Sequence, residues 1–99
     1  MMEREQLKGI ARTIADGTRD AQMQLEYARA ARSVGAKDLA QSHIAEAEKR
    51  IAGVAEWKKL ETAMAGDPKQ RDPAYEVMRE HYDEWCDRIK REIEAMKMK

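Results

Sequence analysis

The chain has 99 residues, with 19 basic side chains balanced by 19 acidic ones and no phenylalanine. Net neutrality removes the basic footprint of a nucleic-acid binder or an anionic-membrane binder, so neither partner is expected. A composition rich in Ala, Glu, Lys, Arg, Gln and Met favours helix over strand, and the length holds one domain, 1–99, with a modest core that gains from a partner subunit.

The first predicted helix covers about 4–34. Leu7, Ile10, Ile14, Ala21, Leu25, Ala28 and Ala31 recur there at steps of three and four, the stripe of an amphipathic helix. Gly17 interrupts the helix interior at a propensity cost of about 1 kcal/mol and is read as a point where a neighbour approaches closely or the helix distorts. Gly35 is the expected left-handed residue after this helix, and the short turn to Asp38 forces the next helix antiparallel.

Helix 2 is predicted over about 38–65, with Leu39, Ile44, Ala47, Ile51, Val54, Trp57, Leu60 and Met64 on its core stripe. Gly66 and Pro68 supply the stop signal. Alanines along both seams predict a close hairpin that leaves little room for a ligand between its helices. A polar linker follows at 66–72, and Asp72 caps a third helix that opens on Pro73 and runs to about 96. Met78, Tyr82, Trp85, Ile89 and Met96 form its stripe, with Ile93 beside it. The expected fold is therefore all-α, an antiparallel helical hairpin plus a third helix in a three-helix bundle.

The lone cysteine, Cys86, has no intramolecular partner, which points to a reducing, cytoplasmic setting. The opening residues Met1 to Gln6 lack an apolar signal core, and no stretch approaches the roughly 18 apolar residues of a membrane span. Cys86 has no adjacent base, and no phosphate loop, Ser-His-Asp order or paired CxxC is present, so classical hydrolases, kinases and zinc ribbons are excluded. Trp57, Trp85, Tyr27, Tyr75 and Tyr82 are the only aromatics, and the two tryptophans, at stripe positions of different helices, are read as core or interface packing.

Two short patterns carry possible chemistry. His43 with Glu46 and His81 with Glu84 are each spaced by three, which puts imidazole and carboxylate on one helix face; two such pairs converging would suit a divalent cation. Asp16, Asp20 and Glu26 of the first helix are further candidate carboxylates. The plainer alternative, solvated flanks with ordinary ion pairs, is preferred for these residues, for both His–Glu pairs and for Glu48, with Arg12, Arg19 and Lys8 as ion-pair partners for Asp16 and Asp20.

The stretch from Ile14-Ala15-Asp16-Gly17 through Asp20-Ala21, together with Leu39-Ala40 and Ile44 to Arg50, resembles the helix pair of small ferritin-like, rubrerythrin-type proteins. The third helix from Tyr75 to Met96 resembles the last helix of compact members. The resemblance implies a two-metal iron or manganese centre, with a first-helix carboxylate on or near Asp20 and the Glu of a Glu-x-x-His motif on Glu48. The histidine position of that motif is occupied by Ile51, which cannot ligate a metal.

Two functions follow as expectations. The leading one is a non-enzymatic helical scaffold or interaction protein without a cofactor, associating as a homodimer, or with another protein, through Ala- and Met-bearing faces. The alternative is an iron- or manganese-binding oxidoreductase or iron-handling protein whose site, built from His43, Glu46, His81, Glu84, Asp20 and Glu48, is shared between subunits. A third arrangement makes helix 3 a detachable arm that binds a partner's helical groove.

Overall fold

A computed structural model describes residues 4–65 and 73–98. The described chain forms three helices, α1 (Arg4–Ser33), α2 (Lys37–Ala65) and α3 (Pro73–Lys97), with no strand among them. Each helix bound lies within a residue of its expected place. The expected stop at Gly66 and Pro68, the linker and the Asp72 cap lie outside the described residues, as do the side chains of Leu7, Met64, Tyr75 and Met78.

The α1–α2 turn is a Schellman motif. The Ala36 amide donates to the Ala31 carbonyl at 2.9 Å and the Gly35 amide to the Arg32 carbonyl at 3.0 Å, which satisfies two carbonyls left without helical partners. Gly35 sits at φ 77°, the left-handed conformation that a side chain disfavours. Gly35→Ala is accordingly expected to lower stability by about 1 kcal/mol, read from the urea midpoint. Gly9→Ala, where an added Cβ meets nothing within 4 Å, is expected to raise it by up to about 1 kcal/mol.

Side-chain contacts fix the topology. Thr18 touches Cys86, Gln22 accepts from Trp85, Arg29 pairs with Glu92 and Arg32 reaches the Met96 carbonyl, so α3 rises alongside α1. Lys58 pairs with Asp83, Glu61 with Arg79 and Glu48 with Lys97, so α2 runs down between two ascending helices. The up-down-up bundle measures 51 × 18 × 16 Å. The α1–α2 interface is the largest in the molecule, and α3 packs more lightly on both.

Alanines make the close seam. Ala21 and Ala28 of α1 and Ala47 of α2 are fully buried beside Leu25, Ile44 and Ile51, and α3 closes this cluster with Ile89, Ile93 and Met96. A second cluster of Ile10, Ile14, Val54 and Cys86 fills the other end. At Gly17, a Cβ would stand 2.6 Å from Val54 Cγ2, so the glycine permits a close approach of α2.

The α2 core stripe differs from the expected one. After Val54 the buried side continues through half-buried Lys58 and buried Glu61, while Leu39, Trp57 and Leu60 are exposed. Ile51, Val54, Trp57 and Leu60 are separated by three residues each time, and each such step rotates 60° short of a full turn, so the series walks off the core face. On α3, Cys86 joins Ile89, Ile93 and Met96 in the core, and Tyr82 and Trp85 form its half-buried edge.

Candidate functional site

Two depressions mark the surface of the bundle. One lies between α2 and α3, about 450 Å³, with Ile51, Val54 and Cys86 as an apolar floor and Lys58, Lys59 and Lys90 at its rim. Two of these lysines already have counterions, Lys58 with Asp83 and Lys59 with Glu56. The Cys86 thiol is buried and lies 3.4 Å from the Thr18 hydroxyl, which itself donates to the Ile14 carbonyl at 2.7 Å. This contact holds α3 to α1, and a buried thiol held so is structural.

The other depression, about 420 Å³, is the outer groove of the hairpin, lined by α1 and α2 alone. Thr13 and Gly17 form one wall, and Glu46, Arg50, Gly53 and Trp57 form the other. Farther along, His43 Nδ1 lies 2.6 Å from Gln24 Oε1, where the Nδ1–H tautomer donates, and its ring is tilted against Tyr27 at 5.4 Å. Asp20 and Arg50 meet across the middle of the groove at 4.0 Å, and Glu46 pairs with Arg50 at 3.6 Å. The groove is thus polar at its centre and apolar towards both ends. Trp57 (41 % exposed) and Leu60 (43 %) lie towards one end, Tyr27 (48 %) and Leu39 (53 %) towards the other.

The six candidate ligands do not converge. His43, Glu46 and Asp20 face the outer groove, whereas Glu48 turns to the α3 side and pairs with Lys97 at 3.3 Å. His81 and Glu84 are exposed on α3 near Asp83, whose partner Lys58 stands roughly 22 Å along α2 from His43 at 1.5 Å per residue. Among the described residues no group of three or more His, Cys, Asp or Glu side chains could hold a metal ion. Ile51, at the position where the resemblance expects a histidine, is buried in the core. The described residues therefore do not fit a family-type dinuclear centre within one chain, and three candidates, Asp20, Glu46 and Glu48, are occupied by cations of the chain itself. Asp16 pairs with Arg19 at 3.5 Å, as its spacing suggests, while Asp20 takes Arg50 of α2 rather than a neighbour on its own helix.

Sequence reasoning missed the partly buried charge layer between α2 and α3. Arg79 Nε lies 3.5 Å from Glu61 and its guanidinium also donates to the Thr62 hydroxyl, while Asp83 takes Lys58 one turn along. The signal was present as Lys58 and Glu61 at a spacing of three on one helix and Arg79 and Asp83 at four on the other, opposed in sign when the helices run antiparallel. The exposure of Trp57 and Leu60 was missed for the rotational reason given above.

No family model, no curated protein and no solved structure matches this chain. Among the described residues no helix is long and apolar enough to cross a membrane.

Proposed function

We propose that this protein is a small helical interaction module that self-associates through the outer groove of its α1–α2 hairpin, on a scaffold that resembles the ferritin-like fold without its metal centre. The observation that carries the reading is Trp57, a large aromatic on the groove wall left 41 % exposed although the bundle has a core in which to bury it. Large aromatics of this kind anchor protein interfaces, where their area is removed from water on docking. Leu60, Leu39 and Tyr27 extend the same face.

Ala21, Ala28, Ala31, Ala40 and Ala47 are buried inside the chain, while Ala30, Ala45, Ala52, Ala63 and Ala95 are exposed. Among the described methionines, Met23 and Met98 are exposed and Met96 is buried. The large apolar side chains that support docking along the groove are those of Trp57, Leu60, Leu39 and Tyr27. The metal-handling alternative has no supporting group of ligands among the described residues.

Light scattering tests the reading directly. The natural chain is expected to rise in mean mass towards a dimer across the micromolar range, and Trp57→Glu combined with Leu60→Glu to stay monomeric with unchanged helicity, since neither side chain belongs to the core clusters. A natural chain that remains monomeric throughout would refute self-association.

A further inference from the structure

The groove also carries information about how a second copy would sit on it, an inference that rests on the self-association reading above. Its α1 wall presents Thr13, Gly17, Asp20, Gln24 and Tyr27, and its α2 wall presents His43, Glu46, Arg50, Gly53 and Trp57, both at alternating steps of three and four. Leu39 and Leu60 continue the α2 stripe at its two ends. Because the hairpin is antiparallel, residues at equal height pair as Asp20 with Arg50 and Tyr27 with His43.

Two such faces can close on each other about a two-fold axis that runs either across the helices or along them. The crosswise axis lays each helix on its own counterpart and sets Asp20 against the second copy's Asp20 and Arg50 against its Arg50. The lengthwise axis lays α2 of each copy on α1 of the other and sets Asp20 of each against Arg50 of the other, twice. Within one chain that pair is only at the edge of contact, 4.0 Å apart and half exposed, and Arg50 meets Glu46 through Nε at 3.6 Å, so Asp20 and the terminal guanidinium nitrogens of Arg50 retain hydrogen-bonding capacity for a second partner. Like charges held face to face disfavour an interface, and complementary ones fix its orientation.

We infer that a second copy of this chain covers the outer groove about a two-fold axis parallel to the helices, forming a four-helix layer with a central Asp20–Arg50 quartet. Trp57 and Leu60 of both copies then gather at one end of the interface, and Tyr27 and Leu39 of both gather at the other. The stripe from Leu39 to Leu60 is about 32 Å long at 1.5 Å per residue, and a face two helices wide covers on the order of 600 Å² per partner. That area lies at the lower edge of stable interfaces, which is why the expected dimer depends on concentration.

Nitroxide labels at the two ends of the hairpin separate the arrangements. Val34→Cys marks the turn and Ala63→Cys the opposite end, both at exposed positions, and native Cys86 is buried, so the unsubstituted chain serves as the labelling control. With the lengthwise axis, identical labels lie at the same height, and each labelled protein is expected to show an intermolecular distance below about 30 Å. The crosswise axis places them about 40 Å apart at 1.5 Å per residue, and a short distance appears only on mixing the two labelled proteins. That pattern, or distances matching neither arrangement, would overturn the lengthwise dimer while leaving self-association standing. Absence of any intermolecular distance together with a monomeric mass would overturn both.

Discussion

Gly17→Val is expected to lower the unfolding free energy by about 3 kcal/mol, a large share of the roughly 5–15 kcal/mol that holds a domain of this size together. Helix propensity alone predicts the opposite sign, because removing glycine from a helix interior gains up to about 1 kcal/mol. The neighbour decides it: a Cβ at position 17 would lie 2.6 Å from Val54 Cγ2, and Val54 is buried and, being β-branched, strongly prefers one χ1 rotamer in a helix, so moving that methyl costs energy. Either the helices separate there or Val54 leaves its well. Gly17→Ala should show the same conflict in milder form, with a net loss of about 1 kcal/mol. A double-mutant cycle with Val54→Ala checks the cause: truncating Val54 should cost less in the Gly17→Ala background than in the natural chain. Strict additivity in urea titrations would show that the two positions do not meet.

The second large effect concerns the charge layer under α3. Glu61 is 5 % exposed and stands where the apolar stripe of α2 passes, with Arg79 Nε 3.5 Å away on a side chain 22 % exposed. Glu61→Ala removes the carboxylate and leaves a mostly buried guanidinium with the Thr62 hydroxyl as its remaining acceptor among the described residues. The expected loss is about 2–3 kcal/mol, somewhat below that of a fully buried broken pair because Arg79 keeps contact with solvent. Replacing both partners, Glu61→Met with Arg79→Met, should recover most of the loss, since apolar pairs of similar size often match buried ion pairs in stability. A double variant as unstable as Glu61→Ala would place the contribution in geometry specific to the ion pair. By contrast, Arg29 and Glu92 bridge α1 and α3 at 2.7 Å on exposed side chains, and breaking that pair should cost less than about 1 kcal/mol.

Both effects arise where local sequence rules are silent or misleading, and α1 and α2 show why. The α1 stripe was legible because Ile10, Ile14, Ala21, Leu25 and Ala28 keep returning to one azimuth, and burial follows that azimuth. On α2 the large apolar residues tempt the eye along Ile51, Val54, Trp57 and Leu60, yet repeated steps of three drift round the helix, and the third helix seats on the side where Lys58 and Glu61 stand. Identity as an apolar residue does not determine which face a helix buries. The candidate ligands failed to gather for a related reason: Asp20 and Glu48 point to opposite flanks of the hairpin, and His43 and His81 lie at different heights of the bundle.

The sequence by itself determined the three helices, the left-handed glycine at the first turn, the antiparallel hairpin and the alanine seam, because these depend on backbone propensity, capping and short-range periodicity. Only the tertiary structure decided which flank of the hairpin α3 covers, and therefore that Gly17 must remain without a side chain, that Glu61 is held inside and that Trp57 is left outside. Those outcomes depend on rotation and height between helices, which are set by side chains far apart in the chain, and the groove with Trp57 on its wall is their result.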